Sequence, residues 1–382
     1  MRAAGTMFAF ALAFGSSVLT PSAQAQTFTV LYTFTGTTDG GTPDAGLLRD
    51  PSGNLYGTTF SGGANASGTV FELDTTGTET VLYSFTGGAD GGSPTARLAR
   101  DPSGNLYGTT YHGGAYHSGV VFKLNTTGTE TVIDSIKAGR DGGVFAGLHR
   151  SGTGNLFGTT CAGGTFRLGS VFMLNPAGTE TVLYSFMGQA DGNCPLSDLF
   201  RDPAHTLYGT TSEGGTSGLG TVYMLTKAGQ KTVLHNFTGG TDGAYPQVYG
   251  GLVQDPAGIF YGTTLAGGAS KQGIIFSIDA AGTETILYTF TGGADGGYPY
   301  AGLVRDKKGN LYGTTFQGGA FGSGTVFKLS PTGTETVLHS FDYSNDGGYP
   351  MAGLVRDLSG NLYGTTSAGG TGNHGTIFKL KP

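Results

Sequence analysis

The stretch Phe28-Thr29-Val30-Leu31-Tyr32-Thr33-Phe34 decides the fold. β-Branched and aromatic residues dominate it, and Gly36 and the Asp39-Gly40-Gly41 turn follow, so it reads as a β-strand. The same strand returns as Val81-Leu82-Tyr83-Ser84-Phe85 and Ile286-Leu287-Tyr288-Thr289-Phe290, each time as the fourth strand of a longer unit. At position 28 the first three strands of that unit are missing. At the other end, Thr376-Ile377-Phe378-Lys379-Leu380 reads as a third strand with no fourth after it. An N-terminal strand that completes the last unit would shut a ring and cover both edges.

The units between are evident from the tetrad Tyr-Gly-Thr-Thr, which begins at Tyr56, Tyr107, Tyr208, Tyr261, Tyr312 and Tyr363, with Phe157 opening a seventh copy. The steps are 51, 50, 51, 53, 51 and 51 residues. In the first unit the strands are 45–49, 55–59, 69–73 and 80–85. The turns are Asp50 to Asn54 and Thr76-Gly77, and a loop carries Gly62-Gly63. This pattern predicts an all-β, seven-bladed β-propeller with four antiparallel strands per blade, closed by the N-terminal strand in the last blade. A β-helix is the alternative, although its coils are usually shorter than 51 residues. Leu47 and Phe71 head columns that repeat in all seven units and are expected to pack between blades. Gly57 heads another, where a neighbouring blade's backbone is expected to approach closely.

Composition agrees. Of 382 residues, 73 are glycine, 12% are charged, none is tryptophan, and the net charge is -6. No basic surface suits nucleic acid, and two cysteines do not make a disulfide-framework miniprotein. Residues 1–25 have the form of a signal peptide: Arg2, an apolar run from Met7 to Leu19, and Ala23-Gln24-Ala25 at the cleavage site. The run is too short to span a bilayer. Residues 26–382 are then one propeller domain, secreted or periplasmic, with no membrane insertion after cleavage.

Gly302-Leu303-Val304-Arg305-Asp306, Gly309-Asn310-Leu311-Tyr312-Gly313-Thr314-Thr315 and Gly324-Thr325-Val326-Phe327-Lys328-Leu329 carry a resemblance that recurs in every unit. The sequence resembles the gloeo/verruco (GloVer) tandem-repeat family of exported bacterial proteins. The resemblance implies export and a repeated β architecture, and it brings no assigned chemistry. Family members often carry a C-terminal sorting anchor. Here the chain stops at Lys381-Pro382 directly after a strand, so none is evident.

The loops between strands four and one, and those between strands two and three, should share one face. Asp39, Asp90, Asp141, Asp191, Asp242, Asp295 and Asp346 recur in the first set. They are weak candidates for calcium near the channel mouth; the alternative is that each caps its own turn. No other cofactor is implied. Arg49 and its five counterparts at the end of strand one read as local ion pairs and hydrogen bonds. The second set of loops keeps one length while its side chains vary. This fits a rigid scaffold presenting contacts, and His112, Tyr116, His117, Arg167, Glu213, Lys271, Asn373 and His374 are the ligand-binding candidates. Neutral drift predicts the same pattern. Asp44, Asp198 and Glu213 are the remaining carboxylates that reach this face. Glu213 and Asp198 are the weak candidates for an acid–base pair. Cys161 and Cys194 lie on this face and are expected to form a disulfide. The leading functional reading is an exported, non-catalytic propeller that binds a glycan, small ligand or protein partner through its loop face. The alternatives are a polysaccharide-directed hydrolase or lyase on the same face, and a passive cell-surface repeat protein.

Overall fold

A computed structural model of the chain describes residues 26–137, 146–246 and 249–382. The leader assigned to residues 1–25 and the candidate Asp141 lie outside them. Seven antiparallel sheets form the ring of a β-propeller. Unit one is typical, with strands Leu48–Arg49, Leu55–Thr59, Thr69–Leu73 and Glu79–Ser84 in that spatial order. The first strand is two residues long and borders the central channel. Closure is as the chain ends predict: Thr27–Thr33 pairs antiparallel with Thr376–Lys381, placing Phe28 opposite Leu380 and Thr33 opposite Thr376. In every blade the pairing of strands three and four carries one register shift, between Val70 and Phe71 in unit one. The N-terminal strand has its own, between Val30 and Tyr32. It is therefore a fourth strand in detail as well as in sequence.

The core lies between blades. At six of the seven interfaces the phenylalanine that ends a fourth strand meets edge-on the strand-three aromatic of the next blade; at the seventh, Ile136 packs with Phe172. Phe34 meets Phe71 at 5.2 Å and Phe85 meets Phe122 at 5.1 Å between centroids. The remaining contacts of this kind include Phe186 with Tyr223 and Phe341 with Phe378. Rings in this geometry supply the burial that tryptophan provides elsewhere. The Leu47 and Phe71 columns are buried as expected. The reason for Gly57 differs from the expectation. A Cβ there would fall 2.5 Å from Phe71 Cζ and 3.1 Å from Leu47 Cδ2, both of its own blade. The glycine clears space for a cross-strand ring, not for a neighbour's backbone.

The arginine column also differs. Among the described residues no arginine forms an ion pair. Arg49 instead lies over the ring of Tyr363, Arg100 over Tyr56, Arg150 over Tyr107, Arg201 over Phe157 and Arg305 over Tyr261, at 5.0 to 6.0 Å. Each is a cation–π contact with the preceding blade. The following aspartate is occupied by its turn: Asp50 Oδ1 accepts from the N–H groups of Gly53 and Asn54.

The outermost strands meet through a repeated acidic contact. Burial first, and then a neighbouring aspartate (Asp39, Asp90, Asp242 or Asp295), pushes Glu79, Glu130, Glu284 and Glu335 up to about 7. One carboxylate oxygen of each is buried without a hydrogen-bond partner. Two interfaces are built otherwise. Lys231 takes the glutamate position in unit four and its Nζ lies 2.9 Å from Asp191 Oδ1. Phe28 takes it in the closing strand and stacks on His339 at 3.7 Å, while His339 Nε2 lies 2.7 Å from Asp346 Oδ2.

Candidate functional site

The two loop sets do share a face, and they interlock. Gly41 bridges Ser61 and Asn193 bridges Glu213 within a unit. Between units, the N–H groups of Thr42 and Tyr298 donate to the carbonyls of His374 and Gln272. The loop aspartates serve this lattice. Asp39 Oδ2 accepts from Tyr32 Oη at 3.1 Å and from the Thr35 N–H at 2.8 Å. Asp242 and Asp295 accept the equivalent N–H groups of Thr238 and Thr291. The partners stand on or next to the outermost strands, so these carboxylates ring the perimeter of the face and not the channel mouth. Among the described residues no three His, Cys, Asp or Glu side chains are grouped to hold a metal ion.

The binding candidates from sequence occupy the strand-two-to-three loops. His117, Arg167, Lys271 and Asn373 take φ of 57 to 59°, and the equivalent positions in units four and six are Gly218 and Gly322. A left-handed residue without glycine's freedom is strained by about 1 kcal/mol, so each loop has a fixed tip. Tyr116 is exposed with Lys137 Nζ 5.6 Å from its ring centre, and His112 packs on Tyr111. The His374 ring covers Gly36. Glu213 accepts from Asn193 Nδ2 at 2.8 Å on the loop rim, whereas Asp198 lines the channel. The structure thus places these two carboxylates on separate parts of unit four.

The channel holds a cavity of about 500 Å³. The position before each first-strand leucine faces it. That position is glycine at 46, 147, 251, 302 and 353, but Arg97 in unit two and Asp198 in unit four. The neighbouring glycines make room. A Cβ on Gly147 would sit 2.8 Å from Asp198 Oδ1, and one on Gly46 would sit 3.7 Å from Arg97 Cδ. The Gly147 N–H donates to Asp198 Oδ1 at 2.5 Å. Burial raises the pKa of Asp198, while that hydrogen bond and the Arg97 charge oppose the rise.

The 53-residue step places extra residues at the mouth. The Tyr249 N–H donates to the Tyr300 carbonyl at 3.1 Å, the Gly302 N–H to the Tyr249 carbonyl at 2.8 Å, and the Asp198 N–H to the Gly250 carbonyl at 3.0 Å. The insertion therefore ties unit four to unit six across unit five. Two polar side chains at equivalent positions of the loops entering units one and two have no partner: Asp44 Oδ1 and Thr95 Oγ1. Asp44 is 8% exposed, and burial alone pushes its pKa up to about 7. Burial, then the charges of Asp44, Tyr300 and Tyr111, push the Tyr249 phenol up. Of these, Tyr249 lines the channel and is hydrogen-bonded through its backbone to Tyr300. Asp44 was legible as a candidate carboxylate, whereas Asp198, expected on the loop face, lines the channel. Arg97 and Tyr249 were not singled out, although the broken glycine column and the long step both marked them.

From the mouth a row of half-buried rings runs outward: Tyr300 to Phe316 at 5.0 Å, Phe316 to Tyr349 at 5.1 Å, and Tyr349 to Tyr343 at 5.6 Å between centroids. In units three and four the slot filled by Phe316 and Tyr349 holds Cys161 and Cys194, and they are joined by a disulfide, as expected. That bond points to a non-cytoplasmic environment. Among the described residues no helix is long and apolar enough to cross a membrane.

Fold and face together define a β-propeller of tandem repeats with an elaborated loop side. The model of the Gloeobacter/Verrucomicrobia repeat matches residues 6–223 and 201–382, and the chain belongs to that family. No curated protein matches it. Among solved structures it is similar in fold to a gluconolactonase from Xanthomonas campestris, with 15% identity over 73% of this chain and 82% of that one and a TM-score of 0.44. It is likewise similar to a luciferin-regenerating enzyme, with 13% identity over 94% and 96% of the two chains and a TM-score of 0.47.

Proposed function

We propose that this protein is an exported, non-catalytic propeller that binds a carbohydrate chain along its loop face. The observation that supports the reading is the row Tyr343, Tyr349, Phe316 and Tyr300, whose successive centroids are 5.6, 5.1 and 5.0 Å apart. Half-buried rings with phenolic edges offer an apolar surface to sugar C–H groups and a polar edge to hydroxyls. The interlocked loops hold the surface rigid, so little ordering entropy opposes binding. The loop tips at His117, Arg167, Lys271 and Asn373 add varied polar contacts around it. The test is a glycan-binding screen of residues 26–382 followed by Phe316→Ala and Tyr349→Ala. Each is expected to weaken a bound glycan about tenfold or more. Undiminished affinity in both variants refutes the reading.

A further inference from the structure

We propose that the channel mouth is a site for a protonated amine borne on a sugar ring, the end residue of the glycan chain assigned to the aromatic row; the inference rests on that reading for its occupant. Asp44 carries it. The carboxyl is more than nine-tenths buried, and its Oδ1 has no hydrogen-bond partner. A buried carboxylate without a counter-charge is costly, and proteins normally pair it. Here burial acts on it alone. The cation of the upper channel wall, Arg97, leans over Gly46, and its charge acts on Asp198. The unmet requirement at the mouth is therefore a positive donor.

The surroundings suit one. Tyr249 lines the channel and is hydrogen-bonded to Tyr300, Gly46 two residues after Asp44 lines it too, and the Asp44 and Tyr111 charges act on the Tyr249 phenol. Aromatic rings around a carboxylate stabilise an ammonium by cation–π attraction as well as by ion pairing. The inserted Tyr249 belongs to no other unit, and no repeat-wide structural duty accounts for it. Tyr300 belongs both to this cluster and to the aromatic row. A chain lying on the row thus reaches the mouth at its end.

The experiment is calorimetry on residues 26–382 with D-glucosamine, D-glucose, N-acetyl-D-glucosamine and Nα-acetyl-lysine amide. Glucosamine is expected to bind about tenfold or more tightly than glucose or its acetylated form, the weight of one charge-assisted contact. Asp44→Asn should abolish that preference and Tyr249→Ala should weaken it. Equal binding of the three sugars, no binding of glucosamine, or a preference that survives Asp44→Asn overturns the proposal. So does lysine amide binding as tightly as glucosamine, which would assign the amine to a peptide. Loss of glycan binding in Phe316→Ala with no amine preference in the parent protein leaves the aromatic row standing and the mouth site refuted.

Discussion

The acidic contacts between outer strands lead to an unusual pH dependence, and Glu335 isolates it. Its carboxyl titrates at about 7 in the fold, against an ordinary value of 4.5, because of burial and then Asp295. A group that holds its proton more tightly when folded favours the fold while protonated. That advantage is complete below the unfolded value and is lost as pH rises through about 7. At full weight the shift corresponds to about 3 kcal/mol. The side chain is only partly buried, so solvent screening reduces this and about 1 kcal/mol is the working figure. Glu335→Gln keeps the shape of the protonated form and cannot ionise. At pH 8 the variant should be more stable by about 1 kcal/mol, or about 1–2 °C in Tm for a domain of this size. At pH 5 the gain should shrink to about a quarter of that. His149 and His235, whose pKa values are lowered first by burial, act in the opposite sense: they cost stability as pH falls below 6.5. Comparing variant with parent at each pH removes that background. Thermal melts at pH 8 and pH 5 test the reasoning. An equal gain at both values, or a variant that melts lower at pH 8, refutes it.

Other perturbations test the architecture. Gly57→Ala should cost about 1–3 kcal/mol in urea denaturation, since the new methyl would overlap the Phe71 ring; a neutral result would show that the ring can move aside. Phe28→Ala removes the ring stacked on His339 and should cost about 2 kcal/mol, with earlier proteolysis of the N-terminal strand as the second readout. Reducing Cys161–Cys194, which closes a separation of 33 residues, should lower stability by about 3 kcal/mol; a Tm indifferent to reductant would contradict this.

The ring and its closure were legible because they are written in repetition and its interruption. Phe28 to Phe34 matches a fourth strand, and Thr376–Lys381 is the third strand it pairs with. The turn duty of Asp39 and the Cys161–Cys194 bond were legible from local chemistry and from a shared face. What escaped was contact between units. Arg49 and Tyr363 are 314 positions apart, and a reading of one unit pairs Arg49 with the adjacent Asp50 instead. The aromatic row escaped for a related reason. Phe316 follows strand two, Tyr349 and Tyr300 flank a loop proline, and Tyr343 precedes that loop, so the rings come from different columns and meet only when blades are set side by side.

The disulfide lies between units three and four, and the strand borrowed from the N-terminus lies in unit seven. In a wheel of seven these are opposite points. Should the clasp at unit seven loosen, the covalent rivet at the opposite point still pins unit three to unit four, and the arcs on its two sides, units one to three and four to seven, each carry one of the parted strands. Reopening is then a hinged event rather than an unravelling, and the ends stay within reach of one another for resealing. Loss of the rivet would leave a single backbone crossing and the non-covalent contacts between units three and four to hold that hinge.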